Sequence, residues 1–189
     1  MPRRQIVFET GHYYHIYNRG NNHQIIFFTQ DNYIHFLRLI RKYLVESNVA
    51  DIIAYCLMPN HYHLLVYLKQ NCFSEVMQKF SLSYVKAINK QYDRVGGLFQ
   101  GRFQAIAVDN DEYLFHLTRY IHLNPVKANL VKKPEDWEFS SYPEYLQLRG
   151  GTLPKIDGVR SLFNSVNDYQ SFVESHIQTS SIQHLLLDE

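Results

Sequence analysis

The feature that most constrains this chain is the order in which its apolar periodicity switches between two residues and roughly 3.6. Residues 12–18 (HisTyrTyrHisIleTyrAsn) are rich in β-favouring aromatics and stop at the turn cluster Arg19-Gly20-Asn21-Asn22. Asp31 then suits a helix cap, and Phe36, Leu37, Ile40, Tyr43 and Leu44 recur at helical spacing. Residues 51–57 and 61–68 read as strands separated only by Met58-Pro59-Asn60, a break short enough to make them antiparallel neighbours. Val76, Phe80, Tyr84, Val85 and Ile88 restore the helical period over 73–92. The glycines Gly96, Gly97 and Gly101 mark a loop, and 102–108 read as a fourth strand. The order β-α-β-β-α-β predicts an α+β chain with a ferredoxin-like sheet and its two helices on one face.

A further helix is expected from Asp111 to His122, stopped by Pro125 because the residue before proline avoids helical geometry, and one more short helix within 135–148. Beyond Gly150-Gly151 the sequence turns polar and Ser/Gln-rich. Residues 1–149 are therefore expected to form the functional domain and 150–189 a loosely attached, mobile extension. At 189 residues with 46% hydrophobic and 20% charged side chains, the composition is that of one globular domain with its own core. Cys56 and Cys72 stand alone, which argues against a disulfide scaffold or a Cys-rich zinc site. No apolar run has the length of a membrane span, and the basic start Arg3-Arg4 leads into Gln5, Phe8 and Glu9 rather than a signal core. An intracellular, cytoplasmic protein without a membrane partner is expected. The net charge of +1 hides an asymmetry: residues 1–104 carry +6 and residues 105–189 carry −5, which suits one half facing a polyanion or an ordinary solvated surface.

Two segments hold side chains capable of chemistry. In Pro59-Asn60-His61-Tyr62-His63, positions i and i+2 of a strand share a face, so His61 and His63 present two imidazoles side by side. They are a pair of candidate metal ligands needing a third, or the alternation of a half-exposed strand. In Thr118-Arg119-Tyr120-Ile121-His122-Leu123-Asn124-Pro125, Tyr120 and Asn124 share a helix face with His116. Tyr120 is a candidate nucleophile and Asn124 a candidate oxygen ligand; packing and a helix stop are the plain alternatives. Signatures of serine hydrolases, metalloproteases, phosphate-binding loops, dinucleotide folds and zinc deaminases are missing from the sequence.

The segments Met58-Pro59-Asn60-His61-Tyr62-His63-Leu64-Leu65-Val66 and Arg119-Tyr120-Ile121-His122-Leu123-Asn124-Pro125-Val126-Lys127-Ala128 resemble the single-tyrosine HUH transposases, most of all their REP-associated branch. Tyr14-His15-Ile16-Tyr17-Asn18-Arg19-Gly20, Gly97-Leu98-Phe99-Gln100-Gly101-Arg102-Phe103 and Trp137-Glu138-Phe139-Ser140-Ser141-Tyr142 are similar to the same family, in order, over roughly residues 12–146.

The resemblance implies a metal-dependent endonuclease and strand transferase acting on single-stranded or hairpin DNA through a 5′-phosphotyrosine link. It assigns Tyr120 as nucleophile, His61, His63 and Asn124 as ligands, and Mg²⁺ or Mn²⁺ as the ion, although imidazole nitrogens alone would favour softer metals. His116 is left as an extra ligand, a proton acceptor or a solvated side chain, while His122 is expected to be structural. For DNA, the basic half offers Arg102, with Lys79, Lys86 and Lys90 along a helix face, Arg94 beside the glycine loop, and Asn18 and Arg19 at the end of the first strand. Relatives leave the oligomer open between monomer and homodimer. The rival expectation is a non-catalytic or domesticated hairpin-binding protein of the same fold. RNA-recognition domains share the element order but carry their aromatic motif on the third strand, where this chain carries HisTyrHis.

Overall fold

The computed structural model describes residues 6–175; residues 1–5, with the basic start, and 176–189, the end of the expected extension, lie outside the described residues. Four strands form one antiparallel sheet in the order β2-β3-β1-β4: β1 is Tyr13–Arg19, β2 Ala50–Met58, β3 His61–Leu68 and β4 Gln104–Val108. Helices α1 (Gln30–Ile40, continued by one wide turn over Arg41–Val45) and α2 (Phe73–Gln91) complete the βαββαβ unit. Strand boundaries move by one or two residues from the expected ones, and β4 begins at Gln104 rather than 102 because Gly101 and Arg102 belong to the preceding loop.

The pleat sorts the side chains. Tyr14 and Ile16 of β1 and Tyr62, Leu64, Val66 and Leu68 of β3 pack against α1 and α2, with Phe36, Ile40, Phe73, Phe80 and Tyr84. The odd positions of both strands, including His15, Tyr17, His61 and His63, therefore face the other side. In β2 the register shifts between Ile52 and Ala54, so Ile52 and then Tyr55 and Leu57 share the α1/α2 side while Ala54, Cys56 and Met58 turn away.

That second face is covered by α3 (Asp111–Lys127), capped at its start by the Asn110 side chain, which accepts from the Tyr113 N–H at 2.7 Å. The helix does not stop before Pro125. It runs on to Lys127, with Pro125 inside its last turns, and ends in two bonds, Asn129 N–H to Val126 O at 3.0 Å and Leu130 N–H to Pro125 O at 2.9 Å. Asn129 takes the left-handed conformation (φ 56°) that this closure needs. A proline here forfeits one backbone bond, and the capping pair and the burial of its ring secure the turn instead.

The segment from 150 onward does not behave as a loose extension as far as Ser175. Leu153, Val159, Tyr169 and Val173 are buried, and α5 (Asp157–Arg160) and α6 (Val166–Glu174) follow the short α4 (Tyr142–Tyr145) over the outer side of α3. Arg119 Nε donates to the Val173 carbonyl at 2.9 Å, and Lys155 N–H donates to Ile52 O at 2.7 Å at the β2 edge. The same edge is sealed by Leu57 N–H to Phe139 O and Ser141 N–H to Tyr55 O, both 2.9 Å. Polar composition hid this packing because the apolar anchors are spaced widely among Ser, Asn and Gln. Among the described residues no helix is long and apolar enough to cross a membrane.

Candidate active site

Three of the sequence motifs converge at one end of the sheet. Gly20 N–H donates to Asn60 O at 2.7 Å, Asn21 N–H to Leu98 O at 2.9 Å and Gln100 N–H to Arg19 O at 3.0 Å. They stitch the end of β1 to the start of β3 and to the glycine loop. Gly20 is required by close approach: a Cβ there would collide with the Gln24 carbonyl oxygen.

Arg19 stands opposite His61 and Tyr17 opposite His63 in the β1–β3 register, so both histidines lie on an inner strand of the sheet, His61 at its first residue and His63 one pleat further in. Their ring centroids are 5.0 Å apart, and the Tyr120 ring meets His63 edge-to-face at 5.4 Å. The distant helix and the HisTyrHis strand are thus brought together. His61 Nδ1 lies 2.6 Å from Asn60 Oδ1, and since an amide oxygen only accepts, His61 carries its proton on Nδ1 and a lone pair on Nε2. His63 Nε2 is buried with no hydrogen-bond partner among the described residues. Burial, reinforced by Arg19 and His23, pushes His61 down to about 4; burial, reinforced by His61 and His15, holds His63 well below its ordinary value. Both rings are neutral near neutrality, the state a metal ligand needs.

Asn124 is buried one turn beyond Tyr120, and its amide nitrogen donates to the Tyr120 carbonyl at 2.8 Å, so the oxygen is the atom left to ligate. The orphaned His63 nitrogen, the lone pair on His61 and this amide oxygen are donor types that a divalent ion accepts alongside phosphate and water. Among the described residues no set of three or more His, Cys, Asp and Glu side chains is grouped so as to hold a metal ion. Lys127, two turns past Tyr120, places its ammonium 5.0 Å from the Tyr120 ring centroid.

The other expected residues divide. His122 faces away: its two ring nitrogens lie 2.7 Å from Tyr169 Oη and 2.8 Å from Ser141 Oγ, in a sealed network. His116 packs on Phe172 at 5.7 Å, on the α6 side. Arg102 is exposed on the glycine loop, and Arg19 beside it bonds Gln100. Asn18 is buried and spends its amide on Gly101 O at 3.1 Å, holding the loop. Arg94 bonds Gln24 Oε1 at 2.8 Å and covers Phe28. Lys79, Lys86 and Lys90 are exposed on α2, on the sheet face opposite Tyr120, so the structure does not bring them to the histidines. One residue was missed: His15, fully buried, whose Nε2 lies 2.9 Å from His63 Nδ1. Its signal was parity, because His15 and Tyr17 occupy the same strand face as His61 and His63 once the two strands pair.

The chain is similar to known transposases. The family model for IS200-like transposases matches residues 9–124. A Haemophilus influenzae protein named as a REP-associated tyrosine transposase is 30% identical over 124 residues, 59% of this chain and 69% of that protein. A REP-associated tyrosine transposase of Escherichia coli K12 is 33% identical over 95 residues, 49% of this chain; the chain spans about half of that relative's length, 54%. The solved structure of a REP-associated tyrosine transposase bound to a REP hairpin shares the fold with a TM-score of 0.65 at 22% identity, covering 78% of this chain and 86% of that one.

Proposed function

Because the chain belongs to the IS200-like transposase family, with REP-associated tyrosine transposases among its relatives, we propose that it is an HUH-type transposase that cuts and rejoins single-stranded or hairpin DNA. The observation that carries this reading is the meeting of the Tyr120 ring with His63, and of His63 with His61, across residues far apart in sequence. Tyr120 Oη attacks the phosphorus of one phosphodiester. A tyrosine–phosphate bond forms as the bond from phosphorus to the 3′-oxygen breaks; the phenol gives up its proton and the departing 3′-oxygen takes one up. The new diester retains the energy of the old one, so a 3′-hydroxyl reverses the step and joins strands without a nucleotide cofactor. His61, His63 and Asn124 would hold Mg²⁺ or Mn²⁺, which when bound neutralises charge on a non-bridging phosphate oxygen. Burial beside the enclosed His15 ring keeps the His63 imidazole neutral. Arg19 and Arg102, at the end of the sheet where His61 sits, supply positive charge for the strand, and the relative solved with a hairpin supports a hairpin substrate.

The test is an adduct assay. Labelled single-stranded hairpin DNA with Mn²⁺ is expected to leave label on the denatured protein, and Tyr120→Phe to remove that label while retaining DNA binding. His61→Ala and a chelator are expected to reduce it by at least about a hundredfold. Label that persists in Tyr120→Phe, or binding without any adduct in the unaltered protein, would overturn the proposal in favour of another nucleophile or a binding-only protein.

A further inference from the structure

We propose that His15 is a positioning residue for the cation site: it accepts a hydrogen bond from His63 Nδ1–H and thereby turns the His63 Nε2 lone pair toward the metal. The inference rests on the reading of His61 and His63 as metal ligands. His15 and His63 are diagonal neighbours on the paired strands β1 and β3, both fully buried, with stacked rings 5.1 Å apart and a 2.9 Å contact from Nε2 to Nδ1. Two neutral imidazoles in such a contact must share one proton, so one ring donates and the other accepts.

The outer nitrogens, His15 Nδ1 and His63 Nε2, are both buried without a partner among the described residues. If His15 donates, the His63 proton sits on Nε2 and blocks ligation. If His63 donates, the spare proton sits on His15 Nδ1 and Nε2 of His63 is free to bind. Either arrangement leaves one N–H without an acceptor, so the pair by itself has no strong preference. Ligation breaks the tie, since only the second arrangement offers a lone pair. His61 is fixed in the same sense by Asn60 Oδ1 at 2.6 Å, so both ligands would bind through Nε2, each held by an acceptor behind it.

Two measurements on the full chain test this. Mn²⁺ binding followed by the electron paramagnetic resonance of the free ion is expected to weaken about ten- to a hundredfold in His15→Leu, which keeps volume but removes the acceptor. It should recover in His15→Gln, whose amide oxygen reaches the place of the lost nitrogen; a purely space-filling role predicts the reverse ranking. Nitrogen-15 correlation spectra of the Mg²⁺-loaded protein should show His63 protonated at Nδ1 and His15 protonated at Nδ1. Equal affinity in His15→Leu overturns the inference while leaving the cation site intact, whereas an Nε2–H signal from His63 in the loaded protein removes His63 as a ligand and overturns the inference with it. Absence of any His61-dependent Mn²⁺ binding in the unaltered protein overturns the site itself, and this inference with it.

Discussion

At the scale of single residues, the buried imidazoles decide both chemistry and stability. His15 and His122 are each pushed down to about 3 by burial alone, against an ordinary value of 6.5. The unfolded chain therefore takes up protons that the folded chain refuses. Their contribution to stability is complete above about pH 6.5 and is lost as pH falls from there toward about 3, by about 1.4 kcal/mol per pH unit for each ring. Urea midpoints are accordingly expected to fall steadily from about pH 7 to about pH 4.5; an unchanged midpoint over that span would show these rings to be accessible and charged. His122 was legible as structural because two residues along a helix separate it from the face of Tyr120. His15 was not legible, since nothing in one strand's alternation says which other strand will lie beside it.

At the scale of elements, α3 shows how a local rule yields to its surroundings. Pro125 reads as a stop, yet the helix continues to Lys127 and closes with Asn129 in the left-handed region. That extension puts Asn124 inside regular helix, one turn from Tyr120, and Lys127 over the Tyr120 ring. Asn129→Val is expected to lower stability by about 1–2 kcal/mol, because a β-branched side chain resists positive φ, whereas Asn129→Gly should leave it unchanged or slightly raised. Thermal unfolding of the two variants checks this; equal losses in both would point to a lost side-chain contact instead. The strands and α1 and α2 were readable because their apolar periods match their geometry on one buried face. The end of α3 was not, because its closure depends on bonds made after the proline.

At the scale of the whole molecule, the sheet is covered on both faces, and the second cover includes the segment past Gly151. Val159, Tyr169 and Val173 on that face, with Leu153 on the α1/α2 side, bury side chains worth roughly 6–12 kcal/mol, as large as the net stability of a typical domain. A chain ending at Arg149 is expected to lose cooperative unfolding and to bind a hydrophobic dye, having uncovered α3. Retention of a sharp transition would show that the sheet and α3 stand without this cover. The cover bears on the site because Arg119 anchors to Val173 one residue before Tyr120, so α6 helps to fix the orientation of the helix that carries the phenol.

The amino-acid sequence by itself determined the βαββαβ order, the shared face of His61 and His63, and the shared face of Tyr120 and Asn124, because each follows from a periodicity within one element. Only the tertiary structure decided that the phenol lies against His63, that His15 stands behind it, that the α2 lysines occupy the opposite side, and that the polar segment after Gly151 closes the core. Those outcomes depend on which faces meet, and the meeting is set by strand pairing and by burial summed over the molecule, neither of which is written in any single stretch of chain.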